Sequence, residues 1–366
     1  MKYIDEYRDR EQVSMLVRAI QTTVKQPWHI MEICGGQTHA ISRYRIEDML
    51  PDEITLLHGP GCPVCVTPVD TIDHALGIAK RPEVIFTSFG DMMRVPGTSE
   101  DLLTTKAKGA DIRMLYSPLD AVSLAEKNPD KKIVFFAVGF ETTILVHLTA
   151  VKEAQRRNLD NFSLITSLFT VPAAIDAILS DTESRVNGFL TAGHVCAVTG
   201  NDDYYKLAEK YHKPMVVTGF EPIDILYGIY RCVVQLENGR AEVENAYKRI
   251  VSDKGNPMAQ RLMAEMLEPF DQNWRGIGQI PHSGLRLKTE YEQYDAIKKF
   301  PKNEQSSTKL TPMDKQMVQC IAGDIMRGNK RAADCPYFGT ACNPEHPVGA
   351  PMVSTEGVCA AYYNYR

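Results

Sequence analysis

Seven of the nine cysteines in this 366-residue chain stand where thiols can do chemistry. The stretch "MEICGGQTHA" sets Cys34 before two glycines, and "GPGCPVCVTP" sets Cys62 and Cys65 in a C-P-V-C pair. Each follows an apolar run and precedes a helical stretch, which predicts thiols at helix N-termini. Free N–H groups and the positive dipole end at such a place lower a thiol's pKa and favour thiolate. The glycines allow tight turns and are expected to make room for a bulky ligand. Two thiols that close a small ring form a redox motif or half a metal site. Cys34 alone reads equally well as a small buried apolar residue.

Cys320, Cys335, Cys342 and Cys359 are separated by 14, 6 and 16 residues, among Pro, Gly and Asn. So polar a segment does not fold on apolar burial alone, and four thiolates suit zinc or a [4Fe–4S] cluster. Zinc sites usually use close C-x-x-C pairs, and these four contain none. The wide spacing and the Cys335–Pro336 step favour the cluster over zinc, and over two disulfides. Cys232, in "IYRCVV", reads as core, and Cys196, in "GHVCAV", stays open.

Polar candidates follow the apolar runs. His39 comes five positions after Cys34, "GFETT" supplies Glu141, Thr142 and Thr143, and "TAGHV" supplies His194. A His or Glu beside a thiolate can tune its basicity or relay protons. Helix capping is the competing reading, and it is preferred for Glu221. Asp91 and Arg94, in "GDMMRVPG", read as a local salt bridge. Glu356 precedes Cys359 by three residues and either hydrogen-bonds near the cluster or faces water.

The elements that must position these groups alternate from about residue 28 to 235. The runs "HIMEIC", "ITLLH", "EVIFTSF", "DIRMLY", "KIVFFAVGF", "FSLITSLF", "GFLTA" and "PMVVTGF" lack polar alternation, as parallel strands buried on both faces do. Helical patterns between them, such as "SPLDAVSLAEKN" and "DDYYKLAEKYH", argue for α/β folding, which places ligands beyond the carboxyl ends of the strands. A break near "LYSPLDAVSLAEKNPDKK" suggests two sheets. The expected division is 1–117, 118–235 and a smaller C-terminal iron–sulfur domain, 236–366. In the last, "ENGRAEVENAYKRIVSDKGNPMAQRLMAEML" reads as two helices broken at "KGNP". "WRGIGQIPHSGLRL" reads as irregular or strand-like, and "KKFPKNEQSSTKLTP" as exposed.

Composition narrows the function. A net charge of −5 without a basic stripe argues against nucleic-acid binding. The most apolar run, "KKIVFFAVGF", is far short of a membrane span, and the charged N-terminus has no signal-peptide core. The chain is expected in the cytoplasm, where cysteines serve as metal ligands, redox thiols or core more often than as structural disulfides. Neither glycine motif fits a nucleotide-binding fingerprint.

The combination of "CGGQTHA", "GPGCPVC", "GFETT", "GHV" and the four C-terminal cysteines resembles the HypD family of hydrogenase-maturation proteins, over nearly the whole chain. The resemblance implies two Rossmann-like α/β domains and a cluster-bearing third. It implies a scaffold on which the Fe(CN)2CO unit of [NiFe]-hydrogenase is assembled, with a HypC-type chaperone and a HypE-type cyanide donor, before delivery to the hydrogenase large subunit. Cys34 would ligate the iron precursor, Cys62 and Cys65 would form a thiol–disulfide pair, and Cys320, Cys335, Cys342 and Cys359 would hold a [4Fe–4S] cluster. His39, Glu141, Thr142, Thr143 and His194 would line the cleft, and the chain alone would be a monomer. Two other readings compete with this scaffold, which is not a conventional turnover enzyme: an iron–sulfur disulfide reductase acting through Cys62–Cys65, and a zinc-stapled α/β binding module.

Overall fold

The computed structural model describes residues 5–302 and 320–365. The polar stretch "KKFPKNEQSSTKLTP" lies outside the described residues from position 303 onward. Each of the eight apolar runs forms a strand: β1 (Trp28–Glu32), β2 (Ile54–His58), β3 (Val84–Ser88), β4 (Ile112–Met114), β5 (Lys132–Gly139), β6 (Phe162–Phe169), β7 (Gly188–Ala192) and β8 (Met215–Thr218). Three more follow: β9 (Val243–Asn245), β10 (Leu267–Trp274) and β11 (Gly278–Leu287).

The fold is α/β with two sheets. One has the order β2-β1-β7-β8-β9 and is parallel throughout. The other has the order β10-β11-β6-β5-β3-β4, in which β3 to β6 are parallel and the β10–β11 hairpin is antiparallel. Sheet membership does not follow the chain. The segments 1–117 and 118–235 each give strands to both sheets, and 236–366 adds β9 to the first and the hairpin to the second. The break after β4 is therefore no sheet boundary: β4 and β5 flank β3 in one sheet, and the chain changes sheets after β2, β6 and β9.

The expected first helix of "ENGRAEVENAYKRIVSDKGNPMAQRLMAEML" is absent among the described residues. The helix Pro222–Glu237 stops at Asn238, and Gly239 takes φ 63°, a left-handed stop that glycine adopts without strain. The chain then runs as β9 along β8, and the helix resumes at Pro257–Met266, capped by Asn256. "WRGIGQIPHSGLRL" is mostly β11, and its partner β10 carries Pro269 on the sheet edge, where a missing N–H is tolerated.

The carboxyl ends of the two sheets meet in one apolar cluster. It joins Met31, Cys34, Cys62 and Cys65 from the first sheet's side to Phe140, Phe169 and Trp274 from the second's. Residues 320–365 hold two short helices, Ala322–Met326 and Val358–Tyr365, around a small core of Ile325, Cys342, Val348, Met352, Val358 and Cys359. The segment thus has more apolar burial of its own than its composition promised.

Trp274 anchors the hairpin in the shared cluster: fully buried, it packs on Phe140 and Phe169, and its Nε1–H donates to Ser283 Oγ at 2.8 Å. Trp274→Ala should cost about 3–5 kcal/mol of stability. The urea midpoint checks it, and a loss under about 1 kcal/mol would show that the hairpin does not hold the sheets together.

Candidate functional site

Cys34 lies two residues beyond β1 and caps the helix Gly35–Arg43 in an extended conformation (φ −151°, ψ 123°). In the first sheet, β1 lies between β2 and β7, so strand order reverses at β1. In parallel sheets such a reversal opens a crevice beyond the carboxyl ends. Cys34 leaves β1 and His194 leaves β7 into that crevice, and Cys34 Sγ stands 3.9 Å from His194 Nδ1. The His194 ring packs on Phe220, from the turn after β8.

The glycines act differently from expectation. A side chain at position 61 would place its Cβ 2.3 Å from Cys34 Cα and 2.4 Å from Cys34 N. One at Gly35 would meet Cβ and O of Glu356 at 2.6 Å. These glycines let backbones touch rather than leaving room for a ligand. Gly35 N–H donates to Gly61 O at 3.0 Å, and Gly59 N–H to Glu32 O at 2.8 Å, which welds the turns after β1 and β2 together.

Cys62 and Cys65 are joined as a disulfide on the short helix Pro63–Val66. Thr67 Oγ1, just beyond, bonds Ser167 Oγ on β6 at 3.0 Å, tying the pair to the second sheet. A cavity of about 190 Å³ opens beside it, lined by Cys65, Arg275, Gly276, Cys320, Gly323 and Gly349 among others. Arg275 is held by its N–H on Val66 O and its Nη1 on Pro96 O, both at 2.8 Å. Burial lowers its pKa to about 10, against the pull of Cys320 and Asp73.

The four C-terminal thiols form one neighbourhood. Burial raises the Cys359 pKa well above the ordinary thiol value, and repulsion from Cys320, Cys342 and Cys335 adds to it. Val348 N–H points at Cys342 Sγ, 3.4 Å away. Among the described residues, no three His, Cys, Asp or Glu side chains are grouped as ligands of one metal ion. A zinc ion, with Zn–S bonds of about 2.3 Å, gathers its sulfurs to roughly 4 Å, whereas a four-iron cluster holds its thiolates further apart. Four neighbouring thiols with a backbone N–H on one sulfur could hold such a cluster.

The polar candidates scatter. His39 turns to the C-terminal segment, with Nδ1 3.2 Å from Thr355 O and its ring edge-on to Tyr365. Glu141 is buried and accepts from Val171 N–H at 2.8 Å, joining the ends of β5 and β6, while its other oxygen has no hydrogen-bond partner among the described residues. Thr143 bonds the Phe140 carbonyl, and Thr142 is half-buried beside it. Glu356 lies against Gly35 at the Cys34 turn. Glu221 opens its helix, accepts Arg8 at 2.8 Å, and its N–H donates to Asp224. Asp91 and Arg94 form no local pair; they reach Ser354 Oγ (2.8 Å) and Pro344 O (2.6 Å) of the C-terminal segment. Cys232 and Cys196 are both fully buried.

Electrostatics also departs from expectation. Burial pushes the Cys34 thiol pKa up, backbone N–H groups of Gln37 and Gly36 oppose it, and Glu32 and Glu356 raise it further. The helix N-terminus does not win, and the free thiol is protonated. Burial lowers His194 to about 4, leaving a neutral imidazole beside it.

Sequence reasoning missed Glu32, His58 and Tyr362. Glu32 Oε2 accepts the Cys34 N–H at 2.8 Å, and Oε1 takes Thr38 Oγ1 and His58 Nδ1, the latter at 2.7 Å. The available signal was a Glu inside the apolar run "HIMEIC", since a buried carboxylate needs partners.

The HypD family model, described as the hydrogenase formation hypA family, matches residues 11–366. The chain belongs to the HypD family. It is 46% identical to the hydrogenase maturation factor HypD of Rhizobium leguminosarum bv. viciae, over all of this chain and 96% of that one. It is 41% identical to HypD of Escherichia coli (strain K12), over all of this chain and 98% of that one. In this HypD-family chain the thiols lie in sequence: Cys34, then the Cys62–Cys65 pair against its backbone, then the cavity to Cys320.

Two outcomes follow from the site. Gly61→Ala should destabilise by about 1–3 kcal/mol, because its Cβ meets backbone that cannot move aside. Gly77→Ala, in the helix Val69–Ala79 with nothing within 4 Å of its Cβ, should stabilise by about 0.5–1 kcal/mol. Urea midpoints compare them, and equal signs would remove the argument from close approach. Burial, opposed by the N–H groups of its own residue and Val171, raises Glu141 to about 7. A carboxyl raised this way stabilises the fold fully below its unfolded value, and that contribution fades as pH rises through 7. Glu141→Gln should therefore flatten stability between pH 5 and 8, removing a loss of about 3 kcal/mol. Parallel slopes for variant and wild type would show that the carboxyl titrates normally.

Proposed function

We propose that this chain is a hydrogenase maturation factor on which an Fe(CN)2CO unit is assembled as cargo, with a HypC-type chaperone and a HypE-type cyanide donor, for delivery to a hydrogenase large subunit. The observation that carries this reading is the contiguity of the thiols: the turn bearing Cys62–Cys65 touches the Cys34 backbone, and a cavity leads from Cys65 to Cys320. Cys34 is the cargo ligand in this reading. Low-spin iron carrying cyanide and CO suits a soft thiolate, and ligation releases the thiol proton, with the neutral His194 ring 3.9 Å away to relay it outward. Closing or opening the Cys62–Cys65 disulfide moves two electrons. A [4Fe–4S] cluster held by Cys320, Cys335, Cys342 and Cys359 would supply electrons singly. Arg275, beside both, holds a positive charge where those electrons arrive. Among the described residues no helix is long and apolar enough to cross a membrane.

The cavity between Cys65 and Cys320 also suits a second reading, an iron–sulfur disulfide reductase in which Cys34 is incidental. An infrared spectrum of protein purified without oxygen, with a HypC-type partner, separates the two. Cyanide and CO bands that are present in the wild type and lost in Cys34→Ser, with iron and sulfide content unchanged, are the expected result. A blank window from fully loaded wild-type protein would transfer the assignment to the reductase. Zinc without sulfide would leave the stapled binding module.

A further inference from the structure

A buried polar chain runs from the Cys34 turn to the helix that carries Cys359. It begins at Glu32, fully buried, whose carboxylate takes the Cys34 N–H on one oxygen and Thr38 and His58 on the other. The β1–β2 register sets Glu32 directly opposite His58. His58 Nε2 reaches Tyr362 OH at 2.6 Å and Glu47 Oε1 at 3.2 Å, and Tyr362 OH donates to Glu47 at 2.8 Å. Tyr362 follows Cys359 by three residues, close to one turn of the last helix.

Three features give this chain a role beyond satisfying a buried carboxylate. First, a cavity of about 280 Å³, lined by β2 residues, Ile325, Gly328, Arg331, Val358 and Tyr362 among others, separates β2 from the C-terminal segment here. Packing across this gap is incomplete, so hydrogen bonds carry much of the contact. Second, the inner end of the chain is the N–H of Cys34 itself, so a shift of Glu32 turns the Cys34 backbone and re-aims its thiol. Third, both rings are locked, with His58 and Tyr362 edge-on at 5.2 Å between centroids. A locked chain of directional bonds transmits displacement better than loose packing does.

We propose that the Glu32–His58–Tyr362 chain couples the four-thiol neighbourhood to the Cys34 turn, with His58 and Tyr362 as positioning residues. This rests on the reading of the four cysteines as cluster ligands. When Cys359 is ligated the last helix is fixed, Tyr362 holds His58, His58 holds Glu32, and the Cys34 thiol is kept in its buried direction. When the ligation is lost, that hold relaxes and Cys34 becomes accessible.

The test is the rate at which iodoacetamide alkylates Cys34, followed by peptide mass spectrometry without oxygen, on loaded protein and after the cluster is stripped. Stripping should speed wild-type alkylation about tenfold, within the usual range of coupling between sites. Tyr362→Phe and His58→Gln should each speed the loaded protein toward the stripped rate, bringing the two forms within about twofold. Tyr363→Phe, beside the chain but outside it, should keep the tenfold ratio. A merely structural role would speed both forms of the variants equally and keep the ratio, which overturns the proposal. So does a wild-type ratio within twofold. Circular dichroism confirms that each variant is folded, and two independent variants guard against one misfolding. Iron and sulfide are assayed first: their absence would sink the cluster reading and this coupling with it, whereas their presence with an unchanged ratio sinks the coupling alone.

Discussion

The turns after β1 and β2 occupy one space, and the rest of the site depends on that. A Cβ at Gly61 would lie far inside van der Waals contact with the Cys34 backbone, so the two turns pack backbone to backbone. The β1–β2 register from Trp28↔Ile54 to Glu32↔His58 brings both turns to the same level, and the carbonyl and amide bonds of Gly35, Gly59 and Gly61 close the joint. Cys62 follows Gly61 directly. The positions of Cys34 and the disulfide are therefore inherited from a parallel sheet, which holds geometry more firmly than a free loop does.

That same joint decides the electrostatics. A helix N-terminus stabilises a negative charge by up to about 2 kcal/mol in partly buried geometry. Full desolvation of a thiolate costs more, and at Cys34 burial outweighs the N–H groups of Gln37 and Gly36, while Glu32 and Glu356 add negative charge nearby. His194 is half-buried and neutral and brings no positive charge. Such a thiol stays protonated until a cation arrives to compensate it, which suits a ligand for incoming metal better than a nucleophile poised at rest.

The strands were legible because parallel strands buried on both faces are near-continuous apolar runs, and every run from "HIMEIC" to "PMVVTGF" formed one. β9 escaped because "VEN" is three residues on an edge, and β10 because "LEPFDQNW" carries Pro and Asp that only an edge strand accepts. Sheet membership was hidden because local pattern carries no record of which strands pair: the returns after β2 and β6 look like any other crossover. At the site, the cysteines could be read from spacing, and His194 from its place after a strand. The chain that starts at Glu32 could not, since His58 lies 26 positions from Glu32 and Tyr362 lies 304 positions from the His58 it bonds, and they meet only once the sheet and the last helix are in place.

The three thiol stations are held by three different constraints. Register fixes Cys34, backbone contact fixes Cys62–Cys65 against it, and the last four cysteines stand on a segment whose own apolar core is small. The first two are properties of a completed sheet. The third has short helices and many turns, so its order depends on what ties it down: the contacts of His39, Asp91 and Arg94, the His58–Tyr362 bond, and any ligation of its thiols. The contact of His58 lands on the end of β2, those of Asp91 and Arg94 on the turn after β3, and that of His39 on the helix that follows Cys34. A pair of turns joined backbone to backbone is thus clasped by a segment that reaches it through a few directional side-chain bonds, so a displacement of that segment arrives at the Cys34 turn through those bonds rather than through general packing.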